Sequence, residues 1–175
     1  GTRPEIIRLT PTINKIKKFY NCILINTNQN FDPNLNKNFL KELEIIKPKY
    51  NLKNKYKNNI EFISNMLLEV NKILAKEKPD AFLVLGDTNS ALSLYLAKRN
   101  KIPSFHIEAG NRCFDDRVPE EINRKVVDNL ADINITYSSV AKQNLIIENF
   151  SNDKVFKVGS PMKEIYENFE KNISK

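Results

Sequence analysis

Residues Ala81-Phe82-Leu83-Val84-Leu85 form an unbroken apolar run that stops at Gly86-Asp87-Thr88, and a helical pattern follows from Ser90 to Arg99. A short all-apolar run reads as a strand buried on both faces, and such strands belong to parallel sheets covered by helices on each side. The unit then recurs. Ile102 to Ile107 reads as the next strand, Pro119 to Leu130 as a helix, and Ile133 to Tyr137 as a strand. Ser138 to Asn149 reads as a helix with Ser138 as its cap, and Lys154 to Val158 as a last strand. Gly159-Ser160-Pro161 leads into a closing helix through Phe169. Buried strands alternating with helices predict an α/β fold built on a parallel sheet with helices on both faces.

The first part of the chain is less regular. Ile6, Ile7, Leu9, Ile13, Ile16 and Phe19 recur at helical spacing behind Pro4, which a first helical turn tolerates. Cys22-Ile23-Leu24-Ile25 reads as a buried strand, Asn26 to Asn34 as a polar loop and Leu35 to Ile45 as a helix. Residues 47–59 read as irregular, and Ile60 to Lys76 as an amphipathic helix. The opening helix has no strand feeding it, so the expectation is a fragment whose first strand is missing. Its length of 175 residues fits one domain, placed at residues 1–160, with 161–175 beginning a linker helix toward an absent second domain.

Composition removes several function classes. The chain is 41% hydrophobic and 28% charged, and no apolar run approaches the roughly 18 residues of a membrane helix. The expectation is a cytoplasmic protein with no membrane partner. The net charge of +7 comes from lysines scattered among asparagines, as in Lys53-Asn54-Lys55, without an arginine and aromatic stripe, so nucleic acid is not an expected partner. Cys22 and Cys113 have no CxxC spacing and His106 is the only histidine, so neither a disulfide framework nor a metal site is expected. The four glycines make no dinucleotide fingerprint, so nicotinamide and other cofactors are not expected either.

In doubly wound sheets functional groups sit just after the strands end, where the turns converge on one edge and helix amino termini face the ligand. Three carboxylates occupy such places: Asp87 after Leu85-Gly86, Glu108 after His106-Ile107, and Glu120 at the start of a helix. Carboxylates gathered there suit general acid and general base chemistry. Each has a plainer alternative, since Asp87 could cap the following helix, Glu108 could be a loop charge, and Glu120 suits any helix amino terminus. Arg3, Arg112, Arg117 and Arg124 flank the same edge, and planar guanidinium groups suit phosphate; the alternative is a salt-bridged surface. A lone histidine at an apolar strand end, as at His106, is more often structural than a proton shuttle. Cys113 has no second histidine to activate it, which excludes a cysteine hydrolase.

Five segments in order, Gly1-Thr2-Arg3-Pro4-Glu5, Gly86-Asp87-Thr88, His106-Ile107-Glu108-Ala109-Gly110, Pro119-Glu120-Glu121-Ile122-Asn123-Arg124 and Val158-Gly159-Ser160-Pro161, resemble the non-hydrolysing UDP-N-acetylglucosamine 2-epimerase family. The stretch Glu108 to Asp115, continuing through Arg117-Val118-Pro119-Glu120-Glu121, is similar to its surface-polysaccharide branch, which includes UDP-N-acetyl-L-fucosamine synthases. The resemblance implies a three-layer Rossmann-like sheet that is one half of a glycosyltransferase-B-like fold. It implies Asp87, Glu108, Glu120 and Arg3 as catalytic residues, and Arg3, Gly86, Asp87, His106, Arg112 and Arg124 as substrate-binding residues. A UDP-sugar substrate, a second domain carrying a further catalytic histidine, and a homodimer follow from it as well. The loop Asn26-Thr27-Asn28-Gln29-Asn30 resembles a family segment with glycine at the position of Asn28, and by that resemblance Gln29 belongs to a regulatory site. Asparagine tolerates left-handed backbone, so the loop is expected to survive the exchange. Asn129 stands where relatives often carry histidine. The same architecture serves sugar transfer, which leaves a glycosyltransferase donor half or a nucleotide-sugar binding fragment as the competing reading.

Overall fold

The computed structural model describes residues 2–29, 46–52 and 56–173, without the side chains of residues 3, 169 and 171–173. It divides into two compact units, Gly1–Lys53 with Ser160–Lys175, and Asn54–Gly159. The helix expected over 35–45 lies outside the described residues.

The first unit opens with α1, Arg3–Ile16, started by Thr2 and Pro4 and closed at Lys17. The Glu5 carboxylate accepts the Thr2 backbone N–H, which occupies one of the donors a helix start leaves open. Ile13 packs with Ile6, Ile7, Leu9, Cys22, Leu24 and Ile46. The strand expected at Cys22 to Ile25 is shorter and shifted: β1 is Ile25–Asn26, paired in parallel with β2, Tyr50–Asn51, inside the stretch read as irregular. Side-chain amides hold this pair. Asn26 Nδ2 donates to Asn28 Oδ1 at 2.8 Å and Asn51 Oδ1 at 3.2 Å, while Asn28 Nδ2 donates to the Leu52 carbonyl at 2.7 Å. Asn28 has φ 51, the left-handed conformation expected of an asparagine in a glycine position.

The second unit carries a four-stranded parallel sheet in the order β3 (Phe82–Leu85), β4 (Ser104–Ile107), β5 (Ile133–Thr136), β6 (Val155–Lys157). Its first helix, α2 (Asn59–Glu77), is capped by Asn58, whose side chain accepts the Glu61 N–H, and ends at Lys78 in left-handed conformation. Phe62, Met66, Val70, Ile73 and Leu74 form its buried face, each side chain stabilising the fold by about 1.5–3 kcal/mol. The helix expected from Ser90 begins as a 3₁₀ turn, Asn89–Ser93, and continues as α3, Leu94–Arg99. The α4 helix matches its expected bounds, Pro119–Leu130, and α5, Ser139–Ile147, is capped by Ser138 through the Ala141 N–H. Two apolar clusters form beside the strands: Val84, Ala91, Leu94 and Val127, and Ala109, Leu145 and Val155. The closing helix α6, Met162–Ile173, belongs to the first unit and contacts α1 there. Among the described residues no helix is long and apolar enough to cross a membrane.

Candidate active site

Strands β3 and β4 are hydrogen-bonded parallel neighbours with Leu85 opposite Ile107, so the turns that follow them emerge side by side. The Gly86 N–H donates to the Ile107 carbonyl at 3.0 Å, and Gly86 has φ 77, which brings Asp87 sharply off the end of β3. Asp87 does not cap the helix after it; Thr88 occupies that place. Its carboxylate instead accepts Arg124 Nε at 2.7 Å and Nη2 at 2.6 Å. Asn123, one residue before Arg124 on α4, donates to the Asp87 backbone carbonyl at 2.8 Å. The Asn123-Arg124 pair of the Pro119 to Arg124 motif thus grips the turn at residue 87 by backbone and side chain together.

Glu108 follows β4 with φ 71, a left-handed conformation that costs a non-glycine residue about 1–2 kcal/mol. Such strain persists where neighbouring contacts impose it and gathers at functional positions. Gly110, two residues on, has φ 77, and a methyl group there would stand 2.2 Å from the Ala141 carbonyl oxygen, so only glycine lets the turn lie against α5.

Glu120 and Glu121 are neighbours with opposite surroundings. Glu120 is exposed in the first turn of α4 and has no hydrogen-bonded or ionic partner among the described residues. Glu121 is fully buried and accepts the Cys113 N–H at 3.0 Å, the Phe114 N–H at 3.2 Å and Arg124 Nη1 at 3.1 Å, with the Cys113 thiol at 3.5 Å. Burial alone would raise its pKa, but the two N–H groups, the Arg124 guanidinium and the thiol together hold it below the ordinary carboxylate value. Arg124 bridges Asp87 and Glu121, and although burial works against its charge, these two carboxylates hold it above its ordinary value.

The remaining expected residues fall into three groups. His106 is fully buried, with Nδ1 2.7 Å from Asp128 Oδ1 and Nε2 2.9 Å from the Gly86 carbonyl, the structural alternative for a lone histidine. Arg112 is likewise turned inward, paired with Asp128 at 2.7 Å and with Glu148 through two contacts of 2.7 and 2.6 Å, whereas exposed Arg117 pairs with Asp115. Arg3 and Gln29 belong to the first unit: Arg3 lies in the first turn of α1 with its side chain outside the described residues, and Gln29 follows Asn28 in the amide-rich loop. Among the described residues no cluster of histidine, cysteine and carboxylate side chains could hold a metal. Sequence reading missed Glu121, Asn123 and Asp128, and of these Glu121 and Asp128 form with Arg124 a polar stripe on the inward face of α4.

The second unit therefore presents, after β3, after β4 and at the start of α4, one ion-paired carboxylate, one on strained backbone and one exposed, a set suited to proton transfer. Known proteins match the chain over most of its length. The family described as UDP-N-acetylglucosamine 2-epimerase matches residues 13–175. The UDP-N-acetylglucosamine 2-epimerase of Methanocaldococcus jannaschii is 42% identical over 162 residues, covering 91% of this chain and 44% of that protein. The UDP-2,3-diacetamido-2,3-dideoxy-D-glucuronate 2-epimerase of Pseudomonas aeruginosa is 37% identical over 169 residues, covering 94% and 48%. The structure of UDP-N-acetylglucosamine 2-epimerase from Rickettsia bellii covers 100% of this chain and 47% of its own, with TM-score 0.93 and 47% identity. The Methanocaldococcus jannaschii UDP-GlcNAc 2-epimerase in complex with UDP-GlcNAc and UDP gives TM-score 0.95 at 40% identity, covering 100% and 49%. The chain spans about half the length of the relatives it matches, and its fold is one half of a glycosyltransferase-B-like architecture. From Ile13 to its last residue this chain belongs to the UDP-N-acetylglucosamine 2-epimerase family.

Proposed function

We propose that the full-length protein is a UDP-N-acetylhexosamine 2-epimerase that inverts carbon 2 by eliminating UDP and adding it back. Its product is a surface-polysaccharide precursor such as UDP-N-acetylmannosamine or UDP-N-acetyl-L-fucosamine. The observation that carries the reading is the adjacency of the Asp87 and Glu108 turns on neighbouring parallel strands, next to the α4 motif that supplies Glu120 and Arg124. Support also comes from the Methanocaldococcus jannaschii relative, which binds UDP-GlcNAc and UDP.

The proton on carbon 2 is hardly acidic, so its removal is coupled to departure of UDP from carbon 1. A base takes the proton, the carbon–hydrogen pair becomes the double bond between carbons 1 and 2, and the carbon–oxygen pair leaves with the UDP phosphate oxygen. The reverse addition delivers a proton to carbon 2 from the other face. This needs two proton-transfer groups and cations for the departing pyrophosphate. Glu108 and Glu120 take the proton-transfer roles, Asp87 orients or shares a proton within its Arg124 pair, and Arg3 steadies charge at the pyrophosphate. The same reading places the enzyme in the cytoplasm as a homodimer, with a second domain closing the site and Gln29 in a regulatory loop.

The test is nuclear magnetic resonance of UDP-N-acetylglucosamine, and then of its 6-deoxy-L-talo counterpart, with the full-length protein in deuterated water. Deuterium is expected at carbon 2 without added nicotinamide, and is expected to vanish with Glu108→Gln. A cooperatively folded protein that binds UDP and exchanges neither sugar rules out the reading for these substrates.

A further inference from the structure

A buried polar network runs beneath the turns that carry Asp87 and Glu108, and Asp128 of α4 is its centre. Asp128 is fully buried. Its Oδ1 is 2.7 Å from His106 Nδ1, and its Oδ2 accepts Arg112 Nη1 at 2.7 Å and the Gly110 N–H at 3.2 Å. The His106 ring passes the connection on, with Nε2 donating to the Gly86 carbonyl at 2.9 Å. From β5, Asn134 Nδ2 donates to the Asp128 backbone carbonyl at 3.0 Å, and Glu148 clasps the other side of the Arg112 guanidinium.

Packing alone does not call for a charge here, because apolar side chains of similar volume commonly fill such a space at least as stably. What the carboxylate does, and an apolar side chain cannot, is hold the His106 ring and the Gly110 N–H at set distances, and through them two separate turns. One line runs through His106 to the carbonyl of Gly86, which opens the peptide unit leading into Asp87. The other runs directly to the N–H of Gly110, which closes the left-handed turn that begins at Glu108. A strained turn keeps its shape only where its surroundings over-determine it, and this bond supplies such a restraint.

We propose that Asp128 is a positioning residue for the epimerisation, setting the relative placement of the Asp87 and Glu108 turns through His106 and Gly110; the assignment to this reaction rests on the proposed function. The test uses the full-length protein and Asp128→Asn, which keeps the size of the side chain but offers one acceptor oxygen in place of two. At least one of Gly110, Arg112 and His106 then loses its acceptor. The expected result is a kcat reduced about 100-fold, the loss that misplacement by roughly 1 Å produces, with KM for the UDP-sugar within about threefold of wild type. Amide hydrogen exchange on the same samples is expected to speed up about tenfold over residues 86–88 and 108–112, with the α2 helix unchanged. His106→Gln, which leaves Asp128 its bonds to Gly110 and Arg112, is expected to loosen 86–88 alone, and it serves if Asp128→Asn does not melt cooperatively. Wild-type exchange rates in both turns in either variant, or an unchanged kcat with a raised KM, overturn the proposal. A wild type that turns over no UDP-sugar sinks the epimerase reading separately, and the exchange rates still decide whether Asp128 holds the two turns.

Discussion

Replacing Glu121 with glutamine isolates what a buried carboxylate does one residue away from an exposed one. Oε2 of Glu121 serves both the Cys113 N–H and Arg124, and Oε1 serves the Phe114 N–H. Glutamine has one acceptor oxygen, and the better choice is to keep it on the side of Cys113 and Arg124. The Phe114 N–H then meets an amide NH₂, a donor facing a donor at a half-buried position, which costs about 1–3 kcal/mol. Loss of the negative charge beside Arg124 adds to this, but the Arg124 side chain is 19% exposed and keeps Asp87, so the ionic part is discounted. The working value for Glu121→Gln is about 3 kcal/mol of destabilisation, read as a lower urea midpoint at unchanged m-value at neutral pH. The pH dependence supplies a second, sharper reading. The folded-state pKa of Glu121 lies below its unfolded value of about 4.3, so its stabilisation is complete above that value and is lost as pH falls through the folded value. The gap between wild type and variant should therefore close in acid, below about pH 4. A difference under about 1 kcal/mol at neutral pH, or one constant from pH 7 to pH 3, refutes the assignment of Glu121 as an ionised clamp.

Two further substitutions test the surroundings of the site. Gly110→Ala forces a methyl group to 2.2 Å from the Ala141 carbonyl on a backbone at φ 77, and should lower stability by more than about 2 kcal/mol in a thermal melt, well beyond the cost of an ordinary glycine exchange. Ser138→Ala removes the acceptor for the Ala141 N–H at the start of α5 and should cost about 1 kcal/mol in urea unfolding, with Ser138→Asn recovering most of it.

The parts of the fold that were legible in the sequence are those where one physical cause dominates. An all-apolar run marked β3, short β-branched and aromatic segments between helical patterns marked β4 and β5, and Pro119 with its two acidic neighbours marked the start of α4. The β1–β2 pair was displaced because it is stitched by asparagine amides from Asn26, Asn28 and Asn51, partners up to 25 residues apart that no periodicity announces. The same holds at the site. Asp87 and Glu108 could be found because they directly follow strands, yet their supports could not, since Arg124 lies 37 residues beyond Asp87 and Asp128 lies 22 beyond His106. Arg112 could be placed at the sheet edge but its partners could not, since its two carboxylates, Asp128 and Glu148, lie 16 and 36 residues on and are brought to it only by the docking of α4 and α5 beside β4 and β5. A cue was present in α4, where an acid, a base and an acid at 121, 124 and 128 share a face with Val127, a pattern that makes sense only if that face is buried and the charges are paired.

Under the proposed epimerase function, the left-handed backbone at Glu108 sets survival against turnover at a single codon. Glycine or asparagine relaxes that turn by about 1 kcal/mol, so heat alone, acting as the selective agent, would discard the glutamate. On that reading a lineage that keeps it is held there by demand for its carboxylate, and an engineer hardening this protein by consensus or by thermal screening should exempt residue 108 from the search.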